Sequence, residues 1–301
     1  MTPARHYLYP LTAILIWAGN TVVSKMAAGA IAPAEIGLYR WLLACLLLTP
    51  FALRPLLRKG AAVRAQAGRI AVLGLLGMVV YQCLTYYAAY QTTATHMGII
   101  GALNPLITVA LAIVLLDQPA TAGALAGAAL SITGVVFVVT GGHPASLLDH
   151  GVNGGDALTL LACVAYALYG VLLKRWGPGG LPPLQHMYAQ IVVATLAMLP
   201  LALLSPRTGL NAANLPLVLY AGLLASVCAP WLWMRAVTLL GPGRSSMFFN
   251  LIALFTALIA AMLLREDLSA HHLVGGLLTV GGVMVGELWR RPLARAPGCA
   301  P

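Results

Sequence analysis

Of the 301 residues, 60% are apolar and only 24 carry a formal charge, 17 of them Lys or Arg and 7 Asp or Glu. A soluble chain of this length carries about a quarter of its residues as charges, so a water-soluble globular fold is excluded. The net charge of +10 would fit a nucleic-acid partner only if the basic residues shared one solvated patch. They are instead scattered in short segments between apolar runs, so no nucleic-acid partner is expected.

Uncharged stretches cover residues 6–24, 70–116, 118–148, 157–173, 176–206, 208–234, 245–264 and 268–286. A spanning helix needs about 20 mostly apolar residues, and most of these stretches reach or approach that length. They are continuously apolar, without the period-2 alternation of an outer-membrane barrel, so only helices remain. Arg5 ahead of an apolar stretch mimics a signal peptide, but Trp17 and Asn20 interrupt it, and it reads as a retained first helix. Ten helices are predicted in chain order, at about 7–25, 33–53, 70–90, 93–116, 121–141, 156–174, 183–204, 214–236, 243–264 and 270–289. The 47-residue stretch 70–116 holds two of them, separated by the polar turn Gln91-Thr92-Thr93-Ala94-Thr95. Cys45, Cys83, Cys163 and Cys228 fall inside apolar runs and only Cys299 in a tail. That fits buried small hydrophobes rather than a disulfide framework.

Basic residues near the helix ends set the orientation. With the N-terminus inside, 13 face the cytoplasm: Arg5, Arg54, Arg58, Lys59, Arg64, Arg69, Lys174, Arg175, Arg235, Arg244, Arg290, Arg291 and Arg295. Three face outward, Lys25, Arg207 and Arg265, and Arg40 lies within the second helix. Both termini are therefore expected in the cytoplasm, with the chain in the inner (plasma) membrane.

An internal repeat follows from near-equal shifts. A shift of 148 places Gly127-Ala-Ala-Leu-Ser-Ile-Thr-Gly134 over Gly275-Gly-Leu-Leu-Thr-Val-Gly-Gly282, and Leu116-Asp117-Gln118 over Leu264-Arg265-Glu266. A shift of 150 places Pro33 and Pro50 over Pro183 and Pro200, and one of 149 places Lys25 over Lys174. The expected fold is an all-α integral membrane protein of ten helices in two five-helix repeats, residues 1–142 and 143–291, followed by a cytoplasmic tail, 292–301. An odd number of helices per repeat inverts one against the other. Inverted repeats with a site near the midplane are a transporter architecture.

Local segments now carry a resemblance: Leu38-Tyr39-Arg40-Trp41-Leu42-Leu43, Leu103-Asn104-Pro105-Leu106 and Leu115-Leu116-Asp117-Gln118-Pro119. With the five-plus-five duplication, the chain resembles the drug/metabolite transporter superfamily in its EamA group, over about residues 8–289, and is most similar to the aromatic amino-acid exporter branch. It departs from the family in carrying Asp117-Gln118 where Gly-Glu is commoner, and in lacking a proline after Asn250. The resemblance implies a secondary carrier. Members export amino acids and other metabolites, and some carry sugars or cationic drugs.

Polar groups at mid-membrane depth are costly unless they face protein or a wet cavity. Helical periodicity gathers Trp17 and Asn20 on the first helix, Tyr81, Gln82 and Tyr86 on the third, Asn104 on the fourth, Tyr166 and Tyr169 on the sixth, Trp231 beside Pro230 on the eighth, and Asn250 on the ninth. These are the candidate substrate-binding residues; each could equally hydrogen-bond a neighbouring helix. Arg40 reads either as a counter-charge for a substrate carboxylate or as a guanidinium satisfying carbonyls. Pro105 and Pro230 each free a carbonyl or kink a helix. The glycine rows Gly123/Gly127 and Gly282/Gly286 read as close helix packing.

No enzyme is expected. Gly243-Arg244-Ser245-Ser246 only partly resembles the motif of intramembrane serine proteases and reads better as a helix cap. His271 and His272 are adjacent and cannot share a helix face, so no metal is expected, and no phosphate-binding loop or other cofactor site appears. Aromatic faces and amides without a mid-depth carboxylate suit a neutral zwitterion. The expected function is export of aromatic and other neutral amino acids by alternating access, from a monomer or weak homodimer. The alternatives are export of other metabolites or drugs and, from a different class, an intramembrane enzyme. The seven acids, Glu35, Asp117, Asp149, Asp156, Glu266, Asp267 and Glu287, lie at or near helix ends, and His96 starts the fourth helix. Obligatory proton coupling through a carboxylate is therefore not expected.

Overall fold

Within a bilayer each backbone N–H and C=O must find a partner inside the protein, and this chain meets that demand with helices. In the computed structural model, residues 4–27, 29–89, 91–92, 97, 100–145, 153–264, 270–289 and 291 are described. Among the described residues helix makes up 85% and no strand occurs. The order is α1 (Leu8–Ala27), α2 (Pro33–Arg58), α3 (Gly60–Gly74), a π-helical segment Leu75–Val80, α4 (Tyr81–Ala89), α5 (Asn104–Leu116), α6 (Ala122–Val139), α7 (Gly154–Trp176) and α8 (Pro183–Leu204). Then come α9 (Leu215–Leu219), a second π-helical segment Tyr220–Cys228, α10 (Ala229–Leu240), α11 (Pro242–Met247), a 3-10 turn Phe248–Asn250, α12 (Leu251–Leu264) and α13 (Ala270–Leu288).

Among the described residues, seven continuous stretches are long and apolar enough to cross a membrane: 33–58, 60–85, 122–139, 154–176, 183–204, 215–240 and 242–263. Asn104–Leu116 and Ala270–Gly286 are shorter apolar helices. Two details depart from the expected boundaries. The third helix begins at Gly60 instead of near 70, drawing Arg64 and Arg69 into it. Residues 102–103 interrupt the expected fourth helix, and Pro105 occupies the first turn of α5, where its missing N–H forfeits no helical bond within α5. The expected positions of His96, Asp149, Arg265, Glu266 and Asp267, and the tail 292–301, lie outside the described residues.

The chain divides into two compact units, each drawing helices from both halves of the sequence: Met1–Cys83 with Trp176–Ala236, and Leu84–Arg175 with Val237–Pro301. In the first unit α2 runs against α8, where Thr49 and Tyr188 hydroxyls meet at 2.8 Å. The helix α8 also packs on Leu75–Val80, and α2 and α1 pack on Tyr220–Cys228. Glu35, in the first turn of α2, is buried. Its carboxylate accepts bonds from the Thr208 N–H at 2.6 Å, the Gly209 N–H at 3.2 Å and the Tyr39 hydroxyl at 3.3 Å. It thereby ties the start of α2 to the chain following α8, and its charge suits a helix N-terminus.

In the second unit the most extensive contact is between α6 and α13. It is a backbone-to-backbone approach. A Cβ at Gly127 would stand 2.4 Å from the Gly282 carbonyl oxygen, and one at Gly134 would stand 2.5 Å from that of Gly275. The Ser131 hydroxyl donates to the Thr279 carbonyl at 3.1 Å. A shift of 148 residues turns Gly127 into Gly275, Ser131 into Thr279 and Gly134 into Gly282. The contacts therefore pair reciprocally, each glycine meeting the mate of the other. Asp156, in the first turn of α7, accepts bonds from the Thr92 hydroxyl and, at 3.0 Å, the Asn153 N–H, while Asn153 Oδ1 accepts from the Asp156 N–H at 3.1 Å.

Candidate functional site

In the second unit α7 carries Tyr166 and Tyr169 on one face, and both are buried. Their ring centroids lie 5.5 Å apart, and Phe249 meets Tyr166 edge-on at 5.1 Å, the separation and tilt that aromatic quadrupoles favour. Asn104 is buried and engaged. Its Nδ2 donates to the Cys163 carbonyl at 3.3 Å, and the Thr108 hydroxyl donates to its own carbonyl at 2.8 Å. Asn250 differs: it is 2% exposed, and neither amide atom finds a hydrogen-bond partner among the described residues. An unpaired buried amide costs about 1–3 kcal/mol, which a polar ligand or an ordered water would relieve. The side chain of Tyr86 lies outside the described residues.

In the first unit the Trp17 indole N–H donates to the Ala225 carbonyl at 3.2 Å, and its ring lies 5.6 Å from that of Trp233. Trp231 makes a separate stack, edge-on to Tyr9 at 6.4 Å and beneath the Arg235 guanidinium at 5.4 Å. Asn20 Oδ1 is buried without a hydrogen-bond partner among the described residues. Gln82 is buried beside Gly37 of α2, and Tyr81 is half-buried at the start of α4. Arg40 is buried, with Nε donating to Ser226 Oγ at 2.7 Å, Nη2 to the Ala225 carbonyl at 3.4 Å, and its guanidinium 5.2 Å from the Trp41 ring centre.

The structure thus brings Tyr166 and Tyr169 together with Phe249, which immediately precedes Asn250, and it seats Trp17 against Trp233 and Trp231 against Tyr9. Sequence reading missed Phe249, Trp233, Cys163 and Ser226. The adjacency of Phe249 to Asn250 and the spacing Trp231-Leu232-Trp233 were the available signals. A cavity of about 240 Å³ in the second unit is lined by Val109, Ala112, Gln118, Thr121, Arg244 and Met247 among others. One of about 190 Å³ in the first unit is lined by Glu35, Leu38, Tyr39, Ala202, Leu203 and Arg207. Neither is lined by a candidate binding residue. Among the described residues no cluster of His, Cys, Asp or Glu could hold a metal ion.

Known proteins supply the class. A solved crystal structure superposes with a TM-score of 0.75 at 20% identity, over 95% of this chain and 97% of that one, a likeness of fold. An uncharacterized transporter of Archaeoglobus fulgidus is 29% identical over 94% of this chain and 97% of its own length. An uncharacterized transporter of Bacillus subtilis, YyaM, is 24% identical over 90% of each chain. A probable terminal-alkyne amino-acid exporter of Streptantibioticus cattleyicolor is 30% identical over 76% of this chain and 77% of its own. The EamA-like transporter family matches twice in succession, at residues 5–140 and 153–286, and with apolar helices throughout, this chain belongs to that family of multi-pass membrane transporters.

Proposed function

We propose that this transporter exports amino acids, aromatic and other neutral ones foremost, from the cytoplasm as a secondary carrier. The observation that carries this reading is Asn250, a buried amide with donor and acceptor both unspent, next in sequence to the Phe249 ring that packs on Tyr166. An amide offers a donor to a carboxylate and an acceptor to an ammonium, and the neighbouring rings suit an apolar side chain. The 30% identity to a probable terminal-alkyne amino-acid exporter supports the same substrate class. Substrate contacts are assigned to Trp17, Asn20, Tyr81, Gln82, Tyr86, Asn104, Tyr166, Tyr169, Trp231 and Asn250. The decisive experiment is counterflow in proteoliposomes against a panel of amino acids, sugar phosphates and lipophilic cations. Exchange of neutral amino acids is expected, and movement of phosphates alone would overturn the assignment.

The proposed cycle is alternating access by two inverted halves, 1–142 and 143–291. The two successive family matches and the reciprocal contacts of Gly127, Ser131 and Gly134 with Gly282, Thr279 and Gly275 support it. Both termini are assigned to the cytoplasmic side of the inner membrane, and the protein to a monomer or weak homodimer. Cysteines placed at Arg64 and Asp149 are expected to label from opposite sides; labelling from one side would sink the topology. The carrier is further proposed to run on the substrate's own gradient. Uphill accumulation that follows an imposed pH difference at clamped voltage, and disappears in Glu35→Gln or His96→Ala, would contradict that.

A further inference from the structure

We infer that Arg40 is a positioning residue that holds a proline-broken turn in the helix 215–240, and is not a counter-charge for substrate. Tyr220–Cys228 is wound as a π-helix, in which an N–H reaches back five residues, and at its end the Ala229 N–H donates to the Leu224 carbonyl. In the same register the next carbonyl, Ala225, awaits the N–H of residue 230. That residue is Pro230, which has none. A carbonyl left bare inside a membrane span is costly. Two side chains from other helices supply the donors: Trp17 Nε1 of α1 at 3.2 Å and Arg40 Nη2 of α2 at 3.4 Å. The Arg40 Nε donates to Ser226 Oγ, and the Ser226 hydroxyl donates in turn to the Ala221 carbonyl at 2.8 Å, one wide turn back. The planar fork of arginine fits two acceptors on successive residues.

The other half of the chain supplies the control. The shift of 150 that aligns Pro33 with Pro183 puts Gln190 at the place of Arg40. The helix α8 that carries Gln190 packs on the other π-helical segment, Leu75–Val80. There the Tyr81 N–H donates to the Leu76 carbonyl, and the next residue, Gln82, carries the backbone N–H that Pro230 lacks. A neutral amide, its Nε2 paired with His186 Nδ1 at 3.1 Å, stands where the other half has a guanidinium. The cation accompanies the proline. Pro230 sits where the helix changes pitch, and the turn beyond it bears Trp231 and Trp233. Arg40 therefore sets the seat of that segment, and its loss is expected in turnover more than in substrate affinity.

The flux part of the test rests on the carrier reading; the stability part does not. Arg40→Gln, Pro230→Ala and the double variant are purified, and thermal midpoints and hydrogen exchange of residues 215–235 are measured, with L-phenylalanine counterflow in proteoliposomes beside them. Pro230→Ala returns an N–H to the Ala225 carbonyl. Arg40→Gln is therefore expected to lower the midpoint and speed exchange within 220–228, and to do so by less than half as much when residue 230 is Ala. Recovery of folded Arg40→Gln only in the Pro230→Ala background counts the same way. Equal effects in both backgrounds, or failure to fold in both, would overturn the proposal. In flux, a KM held within about twofold with the maximal rate down about fivefold is expected. A KM raised about tenfold with an unchanged midpoint would restore the counter-charge. If L-phenylalanine does not move at all, the aromatic part of the substrate reading fails while the midpoints and exchange rates still decide the role of Arg40.

Discussion

The α6–α13 contact and the junction of α1 and α2 with Tyr220–Cys228 solve one problem in opposite ways. Helices in lipid gain nothing from burying apolar surface against each other, so they must associate by close packing or by polar bonds. The glycine contact removes side chains until backbone meets backbone. The other junction spends Trp17 and Arg40 on the Ala225 carbonyl and anchors Arg40 on the Ser226 hydroxyl. The first tolerates no added atom, whereas the second tolerates change wherever the donor is replaced. Asn250 fits neither pattern, because its amide serves no helix among the described residues.

Four substitutions sharpen that contrast. Gly127→Val places a Cβ 2.4 Å from the Gly282 carbonyl oxygen. Overpacking against backbone that cannot yield costs about 3 kcal/mol or more, so loss of monodisperse protein on size exclusion is expected. Glu35→Gln turns an amide NH2 toward the N–H groups of Thr208 or Gly209 and gives up a charged acceptor. A loss of about 1–3 kcal/mol should appear as a lower thermal midpoint and faster proteolysis within 205–211. Ser131→Ala removes one bond, to the Thr279 carbonyl, while the glycine contact around it persists. Interhelical hydrogen bonds in lipid average about 0.6 kcal/mol, so a midpoint shift near the limit of measurement is expected. The smallest effect on stability belongs to Asn250→Leu, nearly neutral because no internal bond is broken. Its transport should nonetheless fall at least about tenfold; unchanged counterflow would strip Asn250 of its role.

Much of this molecule is legible in the chain because the bilayer leaves so few choices. Charge-free runs longer than any soluble helix needs can only be helices, and their boundaries follow from scattered Arg, Lys, Pro and Gly. The small-residue rows Gly123/Gly127 and Gly282/Gly286 announced a close approach, and that contact exists. The third and fourth helices were less legible. Arg64 and Arg69 read as loop because charge marks the end of the apolar core, whereas a helix can continue past that core into the interface. Pro105 reads either as a freed carbonyl or as a kink, because its place in a helix depends on where the helix starts, which propensity alone does not set.

The candidate residues divide on the same physical line. Composition and periodicity determined that aromatic and amide groups sit inside spans, and that Arg40 needed either a ligand or carbonyls to satisfy it. Which alternative holds depends on the hydrogen-bond register of another helix nearly two hundred positions away, where a wide turn runs into Pro230. No local pattern around Arg40 encodes that register. Likewise Asn104 and Asn250 are the same residue type in similar apolar surroundings, yet the first bonds to the Cys163 carbonyl and the second to nothing described. Hydrophobicity decides that a segment is buried, and it acts through the segment's own residues. Hydrogen bonding decides what a buried polar group does, and its range of about 3 Å makes the answer a property of tertiary neighbours alone.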